Sequence, residues 1–576
     1  MKNSLSRIIR ATLLLSFLLP AAACSDKDEP SPAGPLPVVT FPDYAGGVYG
    51  LKIGKSLNIT PVIIDAENPS YAWVIDGKVV STELSYTFTA ASAGTYYLTF
   101  RLFSDNGDVQ EEIKVMVMEK MPPVVSLPVD DKGVIALWVG REMEVTPQVK
   151  YAEGAVYAWT LDDNPVGTAK TYTLKAAEPA ERKLVLTVTN EDGQTRAEAT
   201  VRVTEAPDIV AAFASETIAV PSGRSICLSP CVDYATAATV YRWEVDGQPQ
   251  TAADKPYFAF TPTETAGHTV TVSATENGKT ASASVKVAVG PAEGTYRRTP
   301  AASSSARETT VFEYLPAPGQ FVNDGHSAAT LPQANAYALG KLKSGTALSL
   351  GGFGGYIVVG FDHSIANAAG KKDFAVAGNS FKGSSEAGIV WVMQDENGDG
   401  LPNDTWYELK GSETGKPETI QQYAVTYFRP TASKMNVVWR DNQGQSGHID
   451  YLGQYHGQDS YYPAWASADS YTLRGTCLKA RNYDESGNSV NWINPEYGWG
   501  YADNAGSDTT PGDGTASLSG NHNYFDIANA VCPDGQPADL QYIDFIKVQC
   551  AVNAKSGWQG ELSTEVCGFT DLHVNR

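Results

Sequence analysis

Basic residues are in short supply in this chain: 43 Lys and Arg stand against 65 Asp and Glu, a net charge of −22. That balance excludes a nucleic-acid surface or an anionic-membrane surface, either of which needs clustered Lys and Arg. Cysteine is scarce, with seven in 576 residues. Convincing helical periodicity is lacking over any useful length, so an all-β fold is expected. Catalytic signatures are missing too. There is no Gly-x-Ser-x-Gly elbow, no His-Glu-x-x-His and no Gly-rich phosphate loop. Carboxylate pairs for glycoside hydrolysis can be drawn from any acidic chain, and no spacing singles one out. A binding protein is therefore expected before an enzyme. The 42% hydrophobic content suffices for packed cores.

At the N-terminus, Lys2, Arg7 and Arg10 precede an apolar run from Ala11 to Leu19, and Pro20-Ala21-Ala22-Ala23 leads into Cys24. A basic start, a short apolar stretch and small residues before a cleavage point make a secretory signal over 1–23. The stretch is far below the roughly 20 residues that cross a bilayer. Cys24 after the small residues resembles the lipobox of bacterial lipoproteins, which implies lipidation there and a membrane anchor. Residues 24–37 read as a flexible tether. Its Ser25-Asp26-Lys27-Asp28-Glu29 resembles the export signal of surface lipoproteins in gram-negative gut commensals, implying the outer membrane and display on the cell surface. The other six cysteines then lie in an oxidising compartment, and their connectivity is not legible in the sequence.

Repetition organises the first half. Tyr71-Ala72-Trp73 with Asp76, Tyr157-Ala158-Trp159 with Asp162, and Tyr241-Arg242-Trp243 with Asp246 recur at spacings of 86 and 84 residues. A glycine and a proline precede each tryptophan: Gly54 and Pro61, Gly140 and Pro147, Gly223 and Pro230. Alternating strands follow around Gly107, Gly193 and Gly278. Each unit reads as about seven short strands with regular turn signals, the pattern of a β-sandwich. The tryptophan sits mid-strand, where it plugs the core. The units resemble PKD or bacterial Ig-like modules, over 38–120, 121–206 and 207–291. Since no cysteine pair flanks the tryptophan, they are not disulfide-type antibody domains. They are expected to act as spacers, with adhesion the other reading.

Residues 292–308 read as a linker. Beyond it, 309–576 holds six of the seven histidines and seven of the eleven tryptophans. Strand-like runs at 356–361, 388–393 and 542–548 suggest one large β domain. Two constellations stand out within it. Asp395, Asn397, Asp399 and Leu401 fall at alternate positions around Gly398, as in a structural calcium loop, with Asp404 or Glu408 to complete the shell. Trp406 stands where an EF-hand has glutamate, and an acidic turn that only solvates a hairpin is the other reading. The second group is aromatic: Tyr455, His456, Tyr461, Tyr462, Trp465, Trp492, Tyr497, Trp499 and Tyr501, with Asn504. They sit among Gly, Asn, Asp, Ser and Pro, where aromatics offer a flat apolar face to a ligand or pin a loop to the domain.

The run Gly351-Gly352-Phe353-Gly354-Gly355-Tyr356 to Asp362 looks like the opening of a jelly-roll domain of bacterial surface proteins. Ile543 to Val548 and Thr564 to Leu572 look like its closing strands. The whole layout of lipobox, Ig-like modules and a large β domain is similar to the BtuH-type cobalamin-binding surface lipoproteins. That resemblance implies capture of a cobamide (vitamin B12), as ligand rather than cofactor, by the C-terminal domain beside an outer-membrane TonB-dependent transporter. Flat aromatics would cover the corrin ring, polar side chains would bond its amides, and His456 could approach the cobalt. Capture of a glycan is the rival reading of the same aromatics.

Overall fold

The computed structural model describes residues 37–574 apart from 42–47, 65, 130–131, 237, 252, 263–265, 485–491, 516 and 519–520. Cys24, the signal segment 1–23 and the tether up to 36 lie outside the described residues.

The chain is almost all β, with three sandwich modules followed by a larger β domain. Each module has one five-stranded sheet in which the first strand runs parallel to the last. These pairs are Tyr49–Lys52 with Val109–Met118, Val134–Trp138 with Gly193–Thr204, and Thr217–Pro221 with Lys279–Gly290. Small two-stranded pairs complete each module. Alternation does the folding work. In the strand Ala180–Asn190, Leu184, Leu186 and Val188 point inward and meet Ala199, Val201 and Val203 of the next strand.

The three repeated tryptophans are fully buried in equivalent places. Each indole Nε1 donates to a backbone carbonyl ten to twelve residues on: Trp73 to Glu83 and Leu84, Trp159 to Ala169, Trp243 to Lys255. Each stacks on an aromatic of the second strand on, in one of the small two-stranded pairs: Tyr86, Tyr172 or Phe258, at 5.6, 5.7 and 5.3 Å. The repeated aspartates begin the hairpin turns that follow. Asp76, Asp162 and Asp246 have φ of 50°, 49° and 49°, with Gly77, Asp163 and Gly247 next at positive φ. Two successive left-handed residues make the turn whose twist matches the strands, and Asp with Gly is the cheapest way to supply them.

The C-terminal domain has a six-stranded antiparallel sheet, ordered Thr310–Leu315, Tyr356–Ala366, Tyr542–Cys550, Gly388–Met393, Tyr407–Leu409, Ala530–Val531. The three strand-like runs of the sequence are its adjacent central strands. A three-stranded sheet, with Phe374–Ala377 between His522–Phe525 and Gly568–Asp571, shares its core. A four-stranded sheet, Ser446–Ile449, Val437–Asp441, Ile420–Phe428 and Ser470–Cys477, has a separate core around Phe353, Val425, Tyr427 and Leu473.

One element departs from the sequence reading. Leu331–Lys343 is a helix, with Pro332 in its first turn. Its buried stripe is Ala334, Ala338 and Leu342, packed beside the strand Thr310–Leu315. Two of those three positions are alanine, so the apolar period was too faint to read.

Residues 292–308 are fastened to the C-terminal domain. Arg298 bonds Asp544 and the Phe361 carbonyl, and Glu293 accepts from Gln394 and Gln541. Modules two and three touch it as well, through Arg141 to Gln443, Asp233 to Arg474 and Arg224 to Glu396. The six described cysteines are free thiols.

Candidate functional site

A half-open cavity of about 590 Å³ lies in the C-terminal domain beside the helix, which lends it Tyr337 and Lys341. Its mouth is aromatic. Trp558, Tyr455 and Phe321 are 45%, 53% and 45% exposed. Tyr455 and Trp558 rings lie 5.8 Å apart, and Phe321 meets the His456 ring edge-on at 4.5 Å. Exposed neighbouring rings of this size are unusual outside binding surfaces. Trp558 is held out by its neighbour Gly557, at φ +55°, where any Cβ would collide with the Trp492 indole. Trp492 therefore props the rim from behind.

The floor is acidic. Glu386, Glu561 and Glu565 line it with Ser349, Ser563 and Asn494. Glu561 and Glu565 are nearly inaccessible, and neither Oε2 receives a hydrogen bond from an N–H or O–H donor. Glu561 Oε1 accepts from the Gln320 N–H at 2.8 Å. Asp503 sits directly behind: Oδ1 accepts the Asn379 and Ser380 amides and Oδ2 the Glu565 amide, all at 2.8–2.9 Å. Burial pushes Glu561 up to about 8. Burial first, then the nearby Glu386 charge, pushes Asp503 up to about 7. Glu386 and Glu565 are raised chiefly by burial as well. Among the lining residues Lys341 is the one cation, and it leans toward the Tyr337 ring. The cavity thus pairs an apolar, flat mouth with a floor rich in acceptors.

Of the ten residues expected at a binding surface, two line this cavity, Tyr455 and His456. His456 Nδ1 faces Asp324 at 3.1 Å, so Nε2 is the ring nitrogen left to a ligand. The expectation is corrected for five others, which are core residues. Tyr461, Tyr462, Trp465, Tyr497 and Tyr501 are 0–7% exposed. Their polar tips bind backbone: Tyr461 the His456 carbonyl, Tyr462 the Ala468 carbonyl, Trp465 the Tyr314 carbonyl, Tyr497 the Lys479 carbonyl, and Tyr501 the Glu413 amide. They pin long loops to the domain, and Trp465 backs the cavity through Tyr314. Asn504 is also buried, bridging the Tyr497 backbone through both its amide atoms. Trp499 is exposed but does not line the cavity.

The sequence reading missed Phe321, Tyr337, Trp558 and the acidic floor. A signal for the floor exists: Glu561, Ser563 and Glu565 stand at alternate positions among Leu562, Thr564 and Val566, placing three polar groups on one face.

The Asp395 loop lies elsewhere, at the junction with module three. Asp395 accepts the Gly398 and Gly400 amides, Asp399 the Leu401 amide, and Asp404 the Glu396 amide. The Leu401 carbonyl accepts from the Asn403 amide. The oxygen set is right in kind for calcium. Asp404 is raised to about 6, by burial first and then in part by Asp395 and Asp399, an excess of negative charge that a cation would relieve. Asp395, Asn397, Asp399 and Asp404, with the Leu401 carbonyl, are the groups that would hold such an ion. What the sequence did not reveal is the loop's second task. Glu396 within it pairs with Arg224 of module three at 3.1 Å.

Comparison with known proteins bears on the modules. A PKD-like domain family matches residues 37–104 and 122–190. Among solved structures, the fibronectin(III)-like modules of Clostridium thermocellum CbhA are similar to 29% of this chain and 95% of theirs, at 16% identity and TM-score 0.17. Sidekick-1 immunoglobulin domains 1–5 are similar over 44% of this chain and 59% of theirs, at 15% identity and TM-score 0.23. A search of curated proteins found no match.

Proposed function

We propose that this chain is a surface-displayed outer-membrane lipoprotein whose modules are a stalk and whose C-terminal cavity captures a cobamide for an outer-membrane transporter. The observation that carries the reading is the cavity itself: exposed flat aromatics at the mouth above buried carboxyl groups with unused acceptor capacity. A corrin has an apolar face and a fringe of primary amides, which donate N–H. The face suits Trp558, Tyr455 and Phe321, and the amides suit Glu561, Glu565, Ser563 and Asn494. His456, oriented by Asp324 with Nε2 outward, has the carboxylate–histidine arrangement common among metal ligands, which suits an approach to cobalt. The ligand lies across the mouth with an edge in the cavity. The same mouth suits a glycan, whose rings also stack on Trp558 and Tyr455. Calorimetry of the ectodomain with cyanocobalamin, set beside a glycan panel, separates the two. Saturable one-to-one cobamide binding supports the proposal. Glycan binding without it supports the alternative, and turnover of a glycan would make the floor carboxyls catalytic.

A further inference from the structure

We infer that Glu386, Asp503 and Glu565 form a binding site for one hard divalent cation at the floor of the cavity. The inference needs no organic ligand and so stands apart from the cobamide reading. One oxygen from each of the three carboxyl groups lies within 4.8 Å of the others. Calcium or manganese binds oxygens at about 2.1–2.6 Å, so ligands across the ion are about 4–5 Å apart. All three donors are carboxylate oxygens, which selects magnesium, calcium or manganese over zinc or copper.

Two further observations point to an ion. Glu565 is 6% exposed, its Oε2 receives no hydrogen bond from an N–H or O–H donor, and its carboxyl group faces that of Glu386 closely enough to share a proton, so the buried pair is held by that proton or by a cation. Among the described residues, none of the three carboxyl groups is paired with an Arg, Lys or His. Buried carboxyl groups are ordinarily paired, protonated or bound to metal, because an uncompensated charge in the interior is costly, and a cation competes here with the proton. The scaffold also fixes the donors in place. Asp503, in the left-handed region at φ 51°, is held by three backbone amides, yet its Oδ2 takes only one of them and keeps a lone pair. Ser563 donates its amide to Glu386 at 3.4 Å. Donors oriented by backbone hydrogen bonds are what a metal site requires of its surroundings. The cavity gives the ion an entry path and leaves room for water or a ligand oxygen to complete the shell.

The test is manganese binding to the full ectodomain, followed by calorimetry and by the EPR signal of free ion. Wild type should bind an equivalent that both Glu565→Gln and Glu386→Gln lose, with affinity at least tenfold lower, while any ion on the Asp395 loop is retained. Near-UV circular dichroism establishes that each variant is folded. Should Glu565→Gln not fold, the less buried Glu386→Gln carries the test. Crystals soaked in manganese give a check that needs no variant, an anomalous peak between the three carboxyl groups. Unchanged stoichiometry and affinity in a folded variant, or no peak at that point, would overturn the site.

Discussion

Replacing Trp159 by alanine should unfold module two selectively and leave the cavity untouched. The indole is 1% exposed, stacks on Tyr172 at 5.7 Å and donates to the Ala169 carbonyl at 2.9 Å. Removing a buried tryptophan side chain costs about 3–5 kcal/mol. Loss of the hydrogen bond pushes the cost toward the upper end, since an orphaned carbonyl costs about 1 kcal/mol or more. Against a domain stability of about 5–15 kcal/mol, that is a large share. Trp159→Phe keeps a ring against Tyr172 and should cost less, about 1–2 kcal/mol, mainly from the lost N–H. The assay is trypsin cleavage of the intact ectodomain, with fragments mapped by mass. Lys183 lies within the strand Ala180–Asn190 and is cut only when the module opens. With opening fast relative to cleavage, 3 kcal/mol raises the open population about a hundredfold, and the cutting rate with it. Ligand affinity should not change. A rate rise below about threefold in Trp159→Ala would refute the claim that the repeated tryptophan is the module's keystone. Lost ligand binding would refute the spacer role.

Three further outcomes are expected. Asp441 has a folded pKa raised from 3.8 to about 6, by burial first, so its contribution to stability is full below pH 3.8 and lost as pH rises through 6. Asp441 Oδ2 accepts from the Tyr423 hydroxyl and Oδ1 from the Gln443 and Gln445 amides, so Asp441→Asn loses an acceptor; relative to wild type its melting temperature should nonetheless stand higher at pH 8 than near pH 4, and an equal difference at both would contradict the cause. If the Asp395 loop holds calcium, chelator at matched ionic strength should lower the melting temperature of wild type but not of Asp399→Asn. Cys24→Ala should release a folded protein from the membrane fraction, and equal retention would rule out the anchor.

The sandwich modules were legible because one large side chain, one turn aspartate and one alternation recur three times. Each has a local cause: burial, a left-handed turn, a two-residue period. The central strands of the C-terminal domain were legible as nearly continuous apolar runs, buried on both faces. The helix Leu331–Lys343 was not, since alanine makes its buried face. The cavity was legible only in part. Tyr455 and His456 stand in the aromatic cluster, but burial of Tyr461, Tyr462, Trp465, Tyr497 and Tyr501 depends on which loops fold over them, a tertiary property. Glu386, Asp503 and Glu565 are spread over 180 residues of sequence and meet only where two loops and a short strand come together, the Glu386 amide donating to the Asp503 carbonyl and the Glu565 amide to Asp503 Oδ2.

The central claim is that the cavity beneath Trp558 and Tyr455 captures a cobamide. Calorimetry of cyanocobalamin with wild type and with Trp558→Ala tests it most directly. Binding should be one to one in wild type and weaker by about 2 kcal/mol, some thirtyfold, in the variant, as truncating a contact aromatic commonly costs. Absence of binding to the folded wild-type ectodomain, or equal affinity in Trp558→Ala, would contradict it.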